Sequence, residues 1–490
     1  MEILLVYPEI PDTFWSFKHA LKFIHKKASS PPLGLLTVAA MLPKDWDTKL
    51  IDMNVAELKD KDITRADYVF IGSMSIQKKS AQEVIARCKR LGTKIVAGGP
   101  LFTSHPDKFD EVDHLVLNEA EITLPMFLAD LAGTPKHIYN SEKWADISAT
   151  PEPLWNLINM KKYASLCMQY SRGCPFNCDF CDVTALYGHS ARTKSSAQVV
   201  RELEHIHAQG WRGNVFFVDD NFIGNKTRLK SDILPAVIEW TEKMKHPFTF
   251  DTQASINMAD DEELMNLMAR AGFDAVFIGI ETPNEESLAE CSKHQNKNRD
   301  LNRSIEIIQK HGFEVQAGFI VGFDHDPLSI FERQVRFIQK SGIVTAMVGI
   351  LNAPRGTTLY DRLKKENRLL NDFTGDNTDN SINFIPAMEL SELTSGYRHI
   401  VSTIYSPKNY YSRVTSFLKI YKSAKVKSFS LKMVHVSALA RSIMLLGIFG
   451  KERWYYWKLM FWSLFTRPQK FPKAVSLAIY GYHFRKVFEN

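Results

Sequence analysis

Apolar positions in residues 1–130 come in short runs separated by amphipathic stretches. The stretches predict helices at Pro32–Leu42 and Ala81–Leu91. The runs predict five strands, at Ile3–Tyr7, Thr48–Asp52, Tyr68–Ser73, Lys94–Gly98 and His114–Leu117. Alternating strands and helices are typical of a parallel, doubly wound α/β sheet. We therefore expect a Rossmann-like domain over residues 1–135, followed by a proline-containing linker over residues 136–165.

A second alternating series begins near residue 164. Amphipathic stretches predict helices at about 195–208, 226–244, 260–271, 298–311 and 328–341. The apolar runs between them predict six strands, at Ala164–Tyr170, Val215–Val218, Phe248–Gln253, Ala275–Ile280, Val315–Val321 and Ala346–Leu351. Six such units predict a partial (β/α)6 barrel over residues 166–375, because a complete eight-unit barrel needs a longer stretch of chain. Residues 376–490 form a mostly helical region by their pattern.

Charge is distributed unevenly. The net charge is +6, yet residues 401–490 hold 16 Lys and Arg against 2 Asp and Glu, which leaves −8 on the rest. This tail combines basic and aromatic side chains: Lys408, Arg413, Lys419, Lys422, Lys425, Lys427 and Lys432, then Trp454–Trp457 and Phe461–Trp462. The combination predicts contact with an anionic membrane surface. A helical cap packed on the barrel and an RNA-binding surface are alternatives, although no RNA-binding module is visible and no nucleic acid partner is expected.

The cellular location follows from two further patterns. Neither a basic segment before a long apolar stretch nor an uncharged run of 18 apolar residues is present. We expect a cytoplasmic protein that contacts the inner face of the membrane peripherally. The six cysteines fit this expectation, because three of them lie within eight residues and do not form a disulfide framework.

The clustered cysteines are Cys174, Cys178 and Cys181, with the spacing C-x3-C-x2-C. An iron–sulfur cubane takes four ligands, normally thiolates, so three thiolates leave one iron open to another ligand. Zinc is the alternative, with His189 as a fourth ligand.

This loop, placed after the first strand of a partial barrel, resembles the signature of the radical S-adenosylmethionine (SAM) superfamily. Phe180, just before the third cysteine, also fits the resemblance. The resemblance implies a [4Fe–4S] cluster on Cys174, Cys178 and Cys181, with SAM bound to the open iron. It further implies reductive cleavage of SAM to a 5′-deoxyadenosyl radical, with a reductant such as flavodoxin or ferredoxin.

The same resemblance implies SAM-binding positions at the carboxyl ends of the later strands. They are Asp219 and Asp220, Gln253 and Ser255, Glu281, and Gly318 in a glycine-containing strand that contacts adenine. Such strand ends form the active face of these barrels. The alternative for Asp219 and Asp220 is that they cap the following helix. Arg172 lies either near the cluster or against a surface carboxylate. No catalytic side chain is assigned.

The N-terminal domain resembles the cobalamin-binding domain of class B radical SAM methylases. The resemblance rests on Gly72–Ser75 and on Gly98–Gly99–Pro100, where glycines let backbone approach a bulky cofactor. It implies cobalamin contacts at Ser73, Ser75, Gly98 and Gly99. One departure is clear: Asp12–Trp15 lacks the histidine of the D-x-H-x-x-G motif, so histidine ligation of cobalt is not expected there, and His25 is a weak substitute.

Together the two domains imply a cobalamin-dependent radical SAM C-methyltransferase. The subgroup resembled is that of the hopanoid C-2 methylase, through Asp12–Phe17, Val218–Gly224 and Leu351–Thr357. We expect a small-molecule or lipid substrate, of isoprenoid-like character, in a cavity that both domains face. Residues near Phe14–Trp15 and Asn352–Pro354 are expected to line it. Non-methylating radical chemistry (cyclisation, ring rearrangement, epimerisation) and a non-catalytic iron–sulfur or cobalamin sensor are the alternatives.

Overall fold

Two parallel sheets and a set of C-terminal helices make up the chain. The computed structural model describes residues 1–376, 378–422 and 433–489, so Lys425, Lys427 and Lys432 of the tail lie outside the described residues. Each sheet has six strands. The predicted α/β class, with a Rossmann-like domain, a partial barrel and a helical C-terminal region, is confirmed.

The first sheet has all its strands parallel, in the order β2-β1-β3-β4-β5-β6. The strand Glu2–Tyr7 is buried on both faces and has a neighbour on each side: Val6 pairs with Ile51 on one side and with Ile71 on the other. Two separate hydrophobic clusters cover the two faces, which is the doubly wound arrangement predicted. The strands are β1 Glu2–Tyr7, β2 Asp47–Asp52, β3 Tyr68–Gly72, β4 Lys94–Gly98, β5 His114–Val116 and β6 Ile138–Tyr139.

The predicted linker over residues 136–165 is wrong at its start. β6 lies inside it and joins the sheet, with Leu117 N–H donating to the Tyr139 carbonyl at 2.9 Å. A two-residue strand is too short to show a pattern in the sequence. The helices of this domain are α1 Lys18–Leu21, α2 Leu33–Met41, α3 Asp60–Arg65, α4 Lys78–Leu91, α5 Pro100–Ser104 and α6 Ala120–Asp130.

The second sheet is the partial barrel, with strand order β14-β13-β12-β11-β10-β7 and all pairs parallel. A small antiparallel hairpin of β8 Ser171–Arg172 and β9 Arg192–Thr193 stands apart and brackets the cysteine loop. The six barrel strands confirm the predicted ones to within about two residues. They are β7 Ser165–Met168, β10 Asn214–Phe217, β11 Thr249–Gln253, β12 Phe273–Glu281, β13 Glu314–Val321 and β14 Ala346–Ile350.

One predicted barrel helix is interrupted. Residues 226–244 contain α9 Lys226–Arg228, a π-helical turn at Leu229–Ile233 and α10 Leu234–Lys243. Pro235 supplies the reason, because it has no N–H for the regular helical bond. The other helices of this region are α7 Val183–Tyr187, α8 Ser196–Ala208, α11 Glu262–Ala271, α12 Glu285–Glu290, α13 Leu301–Lys310, α14 Ile330–Ser341 and α15 Thr358–Lys365.

The C-terminal helices pack partly on the barrel and partly on the N-terminal loop. Phe484 stacks on Phe14 with ring centroids 4.3 Å apart, and Lys473 pairs with Glu314 at the start of β13. No helix among the described residues is long and apolar enough to cross a membrane. The helices are α16 Leu390–Ile404, α17 Pro407–Ile420, α18 Met433–Ser442, α19 Arg453–Thr466 and α20 Phe471–Glu489.

Some of the basic tail is therefore structural. Arg413 is buried, and it donates to the Ile404 carbonyl at 2.8 Å. Arg485 pairs with the buried Glu452. These cations are not available to a surface partner. The buried face of the tail thus forms the predicted helical cap, and the membrane contact of its exposed face stays a prediction.

Candidate functional site

The three clustered cysteines lie on the loop between β8 and α7. Cys178 is buried, and Cys174 and Cys181 are half-buried. The Cys181 N–H donates to the Cys178 carbonyl at 3.0 Å, and the Cys174 N–H donates to the Gly188 carbonyl at 3.3 Å. Gly173 has a φ of 92°, and a Cβ there would overlap the carbonyl of Tyr187, 2.9 Å away. The backbone thus folds the loop tightly around the thiols.

Three side chains from elsewhere in the barrel surround the thiols. Asn221 Nδ2 lies 3.9 Å from Cys174 Sγ, and Gln295 Nε2 lies 3.8 Å from Cys178 Sγ. Burial alone lowers the pKa of Lys293, but the Glu281 carboxylate and the thiols of Cys178 and Cys181 raise it overall. Burial raises the pKa of the Cys174 and Cys181 thiols, and Lys293, together with Asn221 at Cys174, opposes that rise and so favours the thiolate form that binds iron.

A preformed zinc site is not what the loop shows. Zn–S bonds of about 2.3 Å set sulfurs about 4 Å apart around a zinc ion. Among residues 1–376, 378–422 and 433–489, only one set of three His, Cys, Asp or Glu side chains has its ligand atoms all within 4.8 Å of one another. That set does not include Cys174, Cys178, Cys181 or His189. His189 is also exposed. A larger iron–sulfur cluster, which holds its thiolates farther apart, suits the donor set better.

Asp219 and Asp220 hold the backbone that enters the loop. Asp219 accepts the N–H groups of Tyr170, at 3.3 Å, and of Ser171, while Asp220 accepts that of Gly173 at 2.9 Å. Burial raises the pKa of Asp219 to about 7 and that of Asp220 to about 6. They do not cap the next helix, because Asn225 accepts the Arg228 N–H there. Their contacts with SAM stay a prediction.

The later strand ends form a connected polar group. Ser255 Oγ accepts from Asn221 Nδ2 at 3.3 Å and donates to Asn257 Oδ1 at 2.7 Å. Glu281 has a left-handed φ of 64°, and its Oε1 lies 2.7 Å from Lys293 Nζ. The chain of contacts runs from Ser255 through Asn221 to Cys174, so these strand ends and the cysteine loop form one unit.

The remaining predicted SAM positions shape the surroundings of this unit. A Cβ on Gly318 would lie 3.0 Å from Phe277 Cζ, so the glycine leaves room for that ring in the barrel interior. Phe180 meets Phe323 edge-to-face at 6.2 Å, within a small cluster that includes the buried Ala353. Gln253 ends β11 and points into the cavity described below. SAM contacts at all three stay predictions.

Arg172 joins the two domains. It donates to Glu119 at 2.7 Å and to Glu121 at 3.0 Å, and all three side chains are largely buried. Arg192, on the paired strand β9, reaches Glu119 at 2.9 Å. The two carboxylates come from the N-terminal domain, so the hairpin that brackets the cysteine loop is fixed to that domain. The partners of Arg172 are thus buried carboxylates rather than the surface carboxylate predicted, and its place near the cluster stays a prediction.

Small residues form the carboxyl edge of the first sheet. Gly99 has a φ of 98°, and a Cβ there would lie 3.0 Å from the Ser73 carbonyl oxygen. A Cβ on Gly98 would lie 2.6 Å from the Val116 carbonyl oxygen. The later segment at Gly375 packs against the backbone of Ser75 and Ile76, and a Cβ added to Gly375 would overlap Ile76. The packing at the end of β4 therefore requires glycine at positions 98 and 99. The contacts of Ser73, Ser75, Gly98 and Gly99 with cobalamin stay a prediction.

A cavity of about 2120 Å³ lies between the two domains. Its wall includes Ser73, Gly98 and Gly99 from the first sheet and Gln169 and Gln253 from the barrel. The expectation that both domains face one cavity is confirmed. This volume, with small residues along the edge of the first sheet, fits a large planar cofactor together with a substrate.

The predicted lining residues are confirmed in part. Phe14 and Trp15 lie on the cavity wall. Asn352–Pro354 does not, because the Ala353 N–H donates to Asn383 Oδ1 at 2.8 Å and holds the segment against residues 381–384. His25, the weak candidate for cobalt, is exposed and contacts Arg441 at 3.2 Å. The structure does not place it at the sheet edge.

Of the three residues that surround the thiols, sequence reasoning missed Lys293 and Gln295, whereas Asn221 belongs to the polar strand end Asp219–Asn221. Asn221 follows Asp220 directly, and its place after a strand was the available signal. Lys293 and Gln295 lie more than 100 positions after the cysteines, in a loop that has no periodic pattern. Only the closure of the barrel brings that loop to Cys178.

Two families of known description match the domains. The B12 binding domain matches residues 24–128, and the radical SAM superfamily matches residues 168–338. A domain of unknown function (DUF4070) matches residues 357–490. The chain therefore carries both cofactor-binding domains in the order predicted.

Three known proteins are similar over most of the chain. An uncharacterized methyltransferase of Synechocystis sp., sll1242, is 40% identical over 99% of this chain and 91% of its own. Hopanoid C-2 methylase of Rhodopseudomonas palustris is 32% identical over 83% of this chain and 77% of its own. Among solved structures, the cobalamin-dependent SAM radical enzyme OxsB has a TM-score of 0.60 at 15% identity, over 100% of this chain and 79% of its own. At this low identity, the similarity to OxsB shows a shared fold and nothing further.

Proposed function

The chain belongs to the cobalamin-dependent radical SAM methyltransferases, and from this membership we propose that it methylates an unactivated carbon of an apolar, isoprenoid-like lipid of the hopanoid type. The observation that carries the proposal is the cavity, because helix α18, which lines it at Ala438 and Leu439, also carries exposed apolar side chains at Met433 and Val436. The similarity to hopanoid C-2 methylase supports the lipid class.

The cofactors are a [4Fe–4S] cluster, SAM and cobalamin, which when bound supply hydrogen abstraction and a transferable methyl group. Cys174, Cys178 and Cys181 would hold the cluster. Asp219 and Asp220 fix the backbone of their loop, and Lys293 places a buried positive charge beside the thiols. In this way the chain orients its ligands before any cofactor binds.

The inner wall of the cavity suits an apolar substrate. Trp15, Phe277 and Met347 lie on it, and Trp15 meets Phe277 edge-to-face at 5.3 Å. Leu35 and Val38 contribute from the N-terminal domain. Apolar walls hold a hydrocarbon skeleton and exclude water, while the few polar groups set its orientation.

An exposed surface on α18, α19 and the segment between them supports contact with lipid; we call it the α18–α19 surface. Trp454 is 79% exposed and Phe465 is 78% exposed, which is unusual for side chains of this size. Lys451, Arg453 and Lys458 are exposed beside them. The other exposed apolar residues of the surface are Met433, Val436, Met444, Ile448, Phe449, Phe461 and Leu464.

Such a surface lies at the headgroup level of an anionic membrane, where each Lys or Arg adds about 1 kcal/mol of attraction. Ala438 and Leu439, on the same helix α18, line the cavity. A lipid would therefore pass from the membrane to the cavity over the width of one helix.

The experiment is a single-turnover assay with anaerobically reconstituted protein, a hopanoid, SAM and a strong reductant. We expect a product heavier by one CH2, with S-adenosylhomocysteine and 5′-deoxyadenosine formed alongside. If 5′-deoxyadenosine forms and the substrate changes without gaining CH2, the chemistry is a non-methylating radical reaction instead. Lipid mass spectrometry of cells with and without the chain identifies other substrates if hopanoids do not react.

The membrane contact has its own test. Co-sedimentation with vesicles of anionic phospholipid should pellet the wild-type chain, and the double variant Trp454→Glu, Phe465→Glu should stay in solution. Leu328→Glu is the matched control, since Leu328 is 58% exposed but lies outside the α18–α19 surface. Equal pelleting of all three chains would contradict the proposed surface.

A further inference from the structure

The loop after β1, the short helix α1 that follows it and helix α20 bring together a set of candidate metal ligands that excludes the cysteines. Asp12, His19 and His483 each offer one ligand atom, and these atoms lie within 4.8 Å of one another. Two imidazoles and one carboxylate are a donor set that zinc and other late divalent metals bind in proteins. The cofactor-binding residues described above use none of the three.

His483 is hydrogen-bonded as a ligating histidine would be. Its Nε2 lies 2.9 Å from the carbonyl oxygen of Phe14, and because a carbonyl only accepts, Nε2 carries the proton. Nδ1 therefore has a free lone pair, and this atom is buried without a hydrogen-bond partner in the described structure. The side chain has 0% exposure. Ligating histidines usually give their other N–H to a carbonyl or carboxylate in this way.

Asp12 is held from both sides. Its Oδ2 lies 2.6 Å from His19 Nε2, and its Oδ1 lies 3.2 Å from Ser16 Oγ. Zinc bonds of about 2.0–2.2 Å set ligand atoms roughly 3.3 Å apart, so small side-chain rotations would bring all three atoms onto one ion. Asp12 is exposed, which gives an ion a route in and leaves room for a water ligand.

We propose that Asp12, His19 and His483 form a zinc site that fastens the loop after β1 to α20. The same loop carries Phe14 and Trp15, which line the cavity. The bound zinc would thus cross-link the two segments and position this part of the cavity wall. This inference does not depend on the substrate proposed above.

The test uses full-length protein whose cysteines are already loaded with the iron–sulfur cluster, so that thiols do not compete. Zinc is added alone, and bound zinc is measured by equilibrium dialysis and elemental analysis. We expect one equivalent for the wild type and at least about a 10-fold weaker affinity for Asp12→Asn and His19→Ala. His25→Ala is the matched control, because His25 lies on the same segment outside the cluster, and it should bind zinc normally.

Hydrogen exchange gives a second readout that does not involve activity. Zinc should slow amide exchange in residues 8–27 and in α20 of the wild type and of His25→Ala, and have no effect on His19→Ala. Iron content and cluster absorbance of each variant show that it has folded. Zinc binding that is equal in the wild type, Asp12→Asn and His19→Ala, or no binding in any of them, would overturn the proposal and leave a hydrogen-bonded pair of Asp12 and His19 beside His483.

Discussion

The carboxyl edges of the two parallel sheets both contribute to the cavity, yet they are built from different residues. At the barrel edge, Asp219, Asp220 and Lys293 are largely buried ionisable groups, each bound to backbone N–H groups or to an opposite charge. At the edge of the N-terminal sheet, Gly98 and Gly99 stand where a Cβ would meet backbone atoms.

The difference shows two ways to prepare a cofactor site. The barrel edge uses polar side chains to fix a loop whose thiols must point in defined directions, and it accepts the cost of burying charge. The N-terminal edge removes side chains so that backbone and cavity come close together. Changes at the first edge should therefore alter ligand geometry, and changes at the second should alter space.

The largest effect is expected from Cys178→Ala, which leaves two thiolates on the loop. Iron content should fall to background, and SAM cleavage should be lost, because two thiolates do not retain a four-iron cluster. Iron and sulfide analysis with EPR after reconstitution measures this. Cys88→Ala removes a buried thiol from the N-terminal core and should keep its cluster. Normal iron content in Cys178→Ala would refute the assignment of the loop.

The next largest effect is expected from Gly99→Ala. The new Cβ meets the Ser73 carbonyl and also makes a φ of 98° unfavourable, so cobalamin binding should weaken at least about 10-fold and the thermal midpoint should fall. Gly210→Ala is the control, because Gly210 has a φ of 83° but open space around it. It should lose only about 1–2 kcal/mol of stability. If both variants bind cobalamin like the wild type, this edge is not the cobalamin surface.

Two of the ion pairs between the domains should differ in strength. Arg172→Met leaves Glu121 buried without its cation, while Glu119 keeps Arg192, so we expect a loss of about 3–5 kcal/mol. Arg355 pairs with Asp107 at 2.6 Å, but that pair is largely exposed, and Arg355→Met should cost less than about 1 kcal/mol. Urea denaturation followed by tryptophan fluorescence compares them. Equal losses would show that burial does not set the strength of these contacts.

An element or a site residue was predictable when its own stretch of sequence carries a pattern. The apolar runs of β1 to β5 and of the barrel strands are long enough to read, so both sheets follow from the pattern. The pairs at β6 and at the β8–β9 hairpin have two residues per strand and leave no pattern. The cysteine spacing identified the metal loop, whereas Lys293 and Gln295 reach it only through tertiary closure.

Asp219 illustrates the limit most clearly. Its position at a strand end marked it as a site residue, but its hydrogen bonds go to backbone groups 48 and 49 positions earlier. Those partners become neighbours because β7 and β10 pair in parallel. The sequence therefore predicted Asp219 as a site residue but not its partners Tyr170 and Ser171, because the local pattern does not reveal the order of strands in the sheet.

The smallest effect expected is a change in pH dependence from Asp219→Asn. The folded pKa of about 7 lies above the ordinary value of 3.8, so the folded chain keeps a proton that the unfolded chain releases. This contribution to stability is complete below the ordinary pKa and is lost as pH rises through 7. Between pH 6 and 8 the wild type should lose about 1.4 kcal/mol that the variant does not. Thermal midpoints across that range test it, and parallel profiles would argue against a raised pKa.

The packing of α20 on the first loop has a consequence for biosynthesis. The bond between Phe14 and His483 joins residues 469 positions apart. A ribosome that adds 5–20 residues per second needs roughly 20–90 s to travel from one to the other. During that time Phe14 and Phe17 have no helix to cover them, and the nascent chain offers them to chaperones. The yield of folded protein should therefore depend on chaperone supply and on the rate of translation.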